Sequence, residues 1–243
     1  FLHAPGSLTH LSGADPKKIG RAAAAKKFLR DIMTERESSG RLSWTLCLFP
    51  TEELARQAGL SLQEYTRQVV RACFLNRVDP VEHWQQLYLR ARSMKQRLSR
   101  MKTTAYRIES ENIDLYVSSG EKRKWVGISG RNIPSFELFT SPDWRQTRGV
   151  FYADQPSFRS GNFVKGVRLE FSRGRIVKAS ADRGDEFLRS QIRLDNGADK
   201  IGEFSLTDRR FSRIDRFMAN TLYDENFGGR YGTCHVALGS SYE

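Results

Sequence analysis

The spacing of apolar side chains changes period near residue 102, and this change constrains the fold more than any single motif. Before it, Trp84, Leu87, Ala91, Met94, Leu98 and Met101 recur at alternating three- and four-residue intervals, which places them along one face of a helix. After it, "TAYRIESENIDLYVSS" alternates apolar and polar residues, the pattern of a strand with one buried face. A chain that keeps the two periods in separate blocks is neither a helical bundle nor a sandwich of sheets. It reads as α+β, with an incomplete α/β helical region over residues 1–102 and a mixed, largely antiparallel, sheet-rich region over residues 103–243.

Helix signals are clear in the first region. Residues 14–38 read as one helix, with Asp15 as its cap, Pro16 in the first helical position, and an apolar face of Ile19, Ala22, Ala23, Leu29 and Met33. "LSWTLCLF" is short, apolar and bounded by Ser39-Gly40 and Pro50, as a buried strand would be. Pro50-Thr51 opens a short helix that ends at Gly59. Ser61 and Glu64 form a capping box for the next one, and Asp79-Pro80 repeats the cap-then-proline signal ahead of the long stripe. That stripe is suited to a core or to a partner helix, while Arg90, Arg97 and Arg100 occupy the opposite face.

In the second region, residues 104–130 read as a hairpin turning at Ser118-Ser119-Gly120. Residues 165–181 read as another hairpin, turning at "SRGR". A short helix, "DEFLRSQI", and a strand, "KIGEFSL", follow.

Forty Lys and Arg against 28 Asp and Glu leave a net charge of +12. Most of the surplus lies in the first hundred residues, where 17 basic side chains face 9 acidic ones. Such a balance attracts nucleic acid or an anionic surface, but no aromatic residues are interleaved with the basic ones in an RNA-binding pattern. No apolar run reaches the roughly 20 residues of a membrane span, and the first residues lack the pattern of an export signal. Cys47, Cys73 and Cys234 are odd in number and widely spaced, which excludes a zinc ribbon or a disulfide scaffold and fits a cytoplasmic protein with reduced thiols.

Several second-half segments place acidic or ligating groups among apolar residues or glycines. Glu137 lies between Phe136 and Leu138, so its carboxylate either points to solvent or is paired inside. Glu203 presents the same choice between Ile201 and Phe204, with Gly202 letting another backbone or an ion come close. Asp224 and Glu225 precede a glycine-rich loop that leads to His235, with Tyr242 seven residues beyond, and an ordinary turn would use the same residue types. Carboxylate, imidazole and phenol groups together suit borderline divalent cations such as zinc, cobalt or manganese.

The blocks "LSWTLCLFPTEELARQAGLSLQEYTRQVVRAC", "GRNIPSFELFTSP", "NGADKIGEFSL" and "NTLYDENFGGRYGTCHVALGSSY" stand in the order of the aminopeptidase T and aminopeptidase S family of metallopeptidases, which the chain resembles from about residue 41 onward. The resemblance implies a cytoplasmic, homodimeric metallo-aminopeptidase with two divalent metal ions, acting on peptides with a free N-terminus. It places metal ligands at Glu137, Glu203, Glu225 and His235, with Glu203 suited to bridge two ions. Glu225 falls to a ligand or general-base role, and Tyr242 to a ligand or a catalytic hydrogen-bond donor.

Two departures accompany it. The link between Glu225 and His235, "NFGGRYGTC", is longer than the family's, and the family's downstream His-x-Asp pair has no counterpart before Glu243. The expectation is a site short of ligands and weak or absent activity in this shortened chain. A second reading is a non-catalytic basic binding protein that uses the arginines of residues 90–102 to hold nucleic acid or an acidic partner and keeps a vestigial peptidase fold.

Overall fold

The computed structural model describes residues 1–239. The first region runs β1 (Leu2–His3), α1 (Pro16–Ala25), α2 (Lys27–Ser38), β2 (Leu46–Leu48), α3 (Glu52–Ala58), α4 (Leu62–Ala72) and α5 (Pro80–Arg100). The capping signals hold in space. The Asp15 side chain accepts from Lys17 N, Ser61 and Glu64 cap each other's backbone, and Asp79 accepts from Glu82 N. Each such cap is worth about 1 kcal/mol. Thr51 caps α3, and Gly59 ends it in the left-handed region.

The helix expected over residues 14–38 is two helices. The chain breaks at Lys26, whose amide turns back to the carbonyls of Ala23 and Ala24. Tertiary packing does not reward a continuous helix here: only Gly20 of α1 is buried, close against Leu194, and no residue of α2 is. The stripe of α5 does bury. Leu87 and Ala91 are in the core with Trp84, Met94 and Leu98 packed on it, whereas Met101 is exposed.

The second region adds β3 (Ala105–Ser110), β4 (Ile113–Ser118), β5 (Asn132–Ile133), β6 (Glu137–Thr140), β7 (Asp143–Ala153), β8 (Ser157–Arg159), β9 (Asn162–Val164), β10 (Val167–Ser172), β11 (Arg175–Ser180), α6 (Asp185–Gln191), β12 (Ile201–Thr207), α7 (Thr221–Asp224) and β13 (Thr233–Leu238). β1, β2 and β5 form a small parallel sheet. The rest is antiparallel: a five-stranded sheet in the order β11-β10-β7-β4-β3, a three-stranded sheet β13-β12-β6, and the β8-β9 pair. The fold is α+β.

The first hairpin turns earlier than its sequence suggests. Ser110 pairs with Ile113 across Glu111-Asn112, so both strands come from "TAYRIESENIDLYVSS", and residues 120–131 run as a loop touching β6 through a Val126–Phe139 bridge. Alternation is the same on either side of both turns and does not choose between them. What decides is that Leu115 and Val117, both fully buried, need neighbours on two edges, which β4 gains between β3 and β7. The second hairpin turns at Arg173-Gly174 as expected; both residues have positive φ, the signature of a type I′ turn.

Two aromatic clusters lie next to the β13-β12-β6 sheet. Phe136, the residue before β6, stacks on Trp84 at 5.7 Å and meets Phe74 edge-on at 6.2 Å, so α5 grips the start of that strand. Tyr106 and Trp125 pack against Phe204 of β12 at 5.4 and 6.1 Å. Such pairs contribute about 0.5–1.5 kcal/mol each beyond area burial.

Candidate metal centre

Register places the ligating residues on one face of the three-stranded sheet. Glu137 of β6 lies opposite Thr207 of β12, and Ser205 of β12 lies opposite His235 of β13. Side chains two residues apart on a strand share a face, so Glu203, Ser205 and Thr207 look the same way as Glu137 and His235. Phe204, between them, points into the core at 3% exposure.

A bulge keeps Ile201 off that face. Ile201 pairs with Leu238 and Glu203 with Ala237, so two steps along β12 match one along β13, with Gly202 as the extra residue. Without it Ile201 and Glu203 would share a face; with it Ile201 is buried in the core, at 1% exposure, while Glu203 joins the polar set.

Single ligand atoms of Glu137, Glu203 and His235 lie within 4.8 Å of one another. His235 Nε2 is 3.2 Å from Glu203 Oε1 and 3.3 Å from Glu137 Oε2. The side chains are 9%, 12% and 19% exposed for Glu137, Glu203 and His235, and His235 is the charged partner the two carboxylates have among the described residues. Glu137 does not face solvent: its carboxylate accepts from Ser205 Oγ at 3.2 Å.

His235 Nδ1 lies 3.3 Å from the Glu225 carbonyl. A carbonyl only accepts, so Nδ1 carries the hydrogen and the Nε2 position faces the carboxylates. Thr207 Oγ1 donates to the same carbonyl at 3.4 Å. Glu225, directly after α7, therefore orients the imidazole through its backbone, and its carboxylate is not among the groups whose ligand atoms converge within 4.8 Å. Tyr242 lies outside the described residues.

The electrostatics are those of a crowded acidic pocket. Burial pushes Glu137 above the usual carboxylate range, with Glu203 adding repulsion and His235 pulling the other way. Burial, with the charge of Glu137 next, pushes Glu225 up to about 8, against smaller opposing pulls from His235 and Arg159. Burial lowers the His235 imidazole, but its hydrogen bond to Glu203 and the three carboxylate charges outweigh this and raise it. Two carboxylates and a correctly oriented imidazole are a donor set that fits a borderline divalent ion.

Three nearby residues escape the sequence reading. Ser205 was readable by stepping two residues from Glu203. Asn226 and Thr207 were not, because their partners, Phe136 N and the Glu225 carbonyl, are distant in the chain or set by packing.

Gly127 packs against the backbone of this site. At φ +117°, a Cβ there would stand 2.2 Å from the Glu137 carbonyl oxygen, and its own carbonyl accepts from Lys95 Nζ at 2.8 Å. Only glycine allows this loop to lie so close to β6.

Comparison with known proteins places these residues in context. The chain is 28% identical to aminopeptidase T of Thermus thermophilus, covering 96% of this chain and 60% of the relative. It is 28% identical to aminopeptidase AmpS of Bacillus subtilis, with 96% and 60% covered, and 25% identical to aminopeptidase PepS of Streptococcus thermophilus, with 95% and 59% covered. The solved structure of wild-type AmpT from Thermus thermophilus superposes with a TM-score of 0.79 at 29% identity, covering 100% of this chain and 63% of that one. The chain thus spans about 60% of the length of the curated relatives it matches. The model of the thermophilic metalloprotease family (M29) matches residues 1–243, and the chain belongs to that family.

Proposed function

We propose that this chain carries the ligand face of a metallo-aminopeptidase, a hydrolase that removes N-terminal residues from peptides. The observation that carries the reading is the convergence of Glu137, Glu203 and His235, nearly buried on one sheet face, with ligand atoms within 4.8 Å of one another. Relatives along the whole chain that are named aminopeptidases support it. The proposed ligands are Glu137, Glu203, Glu225 and His235, which would hold two divalent ions of the zinc, cobalt or manganese class. Ions bound there would polarise a scissile carbonyl and lower the pKa of an attacking water.

The rest of the proposed chemistry belongs to the protein. The Glu225 carbonyl holds the imidazole so that Nε2 is presented as a ligand, and Ser205 Oγ keeps the Glu137 carboxylate turned inward. The Glu225 carboxyl, which burial pushes up in the metal-free protein, is proposed either as a ligand or, in place of that role, as the general base. Tyr242 is proposed to ligate or to donate a hydrogen bond to the developing oxyanion. A carboxylate of the cluster that meets the substrate's free amine would explain restriction to N-terminal residues. All the proposed ligands fall within the sheet-rich residues 103–243, which we take as the metal-binding unit beside the helix-rich residues 1–102.

The reading extends to a cytoplasmic homodimer, checked by mass in solution. Among the described residues no helix is long and apolar enough to cross a membrane. Elemental analysis should find bound divalent metal in the parent, and zinc or cobalt binding should disappear in Glu203→Ala. A metal-free chain that gains no affinity for zinc or cobalt would refute the proposal.

A further inference from the structure

The side chain of Asn226 joins two segments that carry proposed ligands. It is fully buried, at 0% exposure. Its Oδ1 accepts from Phe136 N at 2.6 Å, and its Nδ2 donates to Leu222 O at 2.9 Å, closing the last turn of α7. Its own carbonyl accepts from Ser212 Oγ at 2.5 Å, and the same hydroxyl oxygen accepts from Ile214 N at 3.2 Å.

These bonds connect the neighbours of the site. Phe136 immediately precedes Glu137, and Asn226 immediately follows Glu225, whose carbonyl orients His235. β6 and α7 are not strand neighbours, and the amide spans the gap between their backbones. An asparagine suits the position because one end must accept from an N–H while the other donates to a carbonyl. Both partners belong to the main chain, so the amide sets backbone separation rather than the orientation of a single side chain.

We infer that Asn226 is a positioning residue for the metal centre, setting the distance between Glu137 and the Glu225–His235 pair. This rests on the proposed metal reading. Deleting its amide leaves the Phe136 N–H and the Leu222 carbonyl without their partner inside the protein, and the two segments relax independently. Supporting groups of this kind alter metal affinity by about 10- to 100-fold when removed.

The test is cobalt(II) binding to the 243-residue chain, followed by titration calorimetry and by the visible absorption of the bound ion. Measurements are made well below the melting temperature of every variant. Asn226→Ala should weaken cobalt binding by about 10-fold or more and change the absorption bands. Leu169→Ala, a core change in β10 of the five-stranded sheet, which carries none of the proposed ligands, serves as a control for lost stability and should bind cobalt as the parent does. If Asn226→Ala does not fold, Ser212→Ala loosens the same loop by removing the hydroxyl's bonds to the Asn226 carbonyl and from Ile214 N, and should weaken binding by about threefold or more.

Parent-like affinity and spectrum in Asn226→Ala would overturn the positioning role while leaving the metal site standing. So would equal weakening in Leu169→Ala. A parent chain that binds no cobalt would overturn the metal reading itself, and the positioning role with it.

Discussion

Glu137→Gln separates what the acidic cluster does for function from what it costs the fold. In the metal-free protein the Glu137 carboxylate is held above its usual range by burial and by Glu203. The folded state therefore binds a proton more tightly than the unfolded chain does. Stability contributed by that proton is present below the unfolded value of 4.5 and is lost as pH rises through the folded one.

A glutamine keeps an oxygen for Ser205 Oγ, removes the charge, and gives up the attraction to protonated His235. The balance should leave the metal-free variant as stable as the parent at pH 4 and more stable by about 0.5–2 kcal/mol at pH 8. For a chain of this length 1 kcal/mol moves the melting temperature by about 2–4 °C.

Metal reverses the order. A ligand at one hundred times its Kd stabilises the parent by about 2.7 kcal/mol, or roughly 5–10 °C, and the variant should gain little of this. The assay is thermal unfolding with EDTA and with zinc or cobalt, at pH 4, 6 and 8. A variant that melts several degrees below the parent in EDTA at pH 8, or that keeps the full metal-induced shift, would refute the reasoning.

Other expectations follow from the same geometry. Metal binding should release protons at pH 6, because the Glu225 carboxyl is pushed up to about 8 and the His235 imidazole is raised above its ordinary value; calorimetry in buffers of different ionisation enthalpy measures this, and zero net release would contradict it. Gly127→Ala sets a Cβ 2.2 Å from the Glu137 carbonyl oxygen at an unfavourable φ, and should cost about 1–3 kcal/mol in urea unfolding and weaken metal binding. Trp84→Ala removes the stack on Phe136 and the indole hydrogen bond to Cys73 O, and should cost about 3–5 kcal/mol; a loss under about 1 kcal/mol would show that α5 does not anchor β6.

Much of the architecture was legible in residue order because it depends on local chemistry. Caps at Asp15, Ser61 and Asp79 act within three residues of themselves, and the Arg173-Gly174 turn needs only residues that tolerate positive φ. Helical and alternating periods separated the two regions for the same reason. The first hairpin was misplaced because alternation is blind to which edge of a strand is paired. Propensity over residues 14–38 predicts one unbroken helix because it says nothing about what a face will pack against.

For the site, the sequence by itself determined the identities of Glu137, Glu203, Glu225, His235 and Tyr242 as candidates and, through resemblance, the chemistry they suit. Tertiary structure decided which groups meet among the described residues. Strand register sets Glu137 and His235 on either side of β12 and Glu203 on the same face, and the Gly202 bulge sends Ile201 into the core instead. Packing also decided that Glu225 contributes its carbonyl to His235, and that Asn226 joins the two segments. Local sequence can name a ligand, but the distance between ligands is set by hydrogen bonds and buried contacts among residues far apart in the chain.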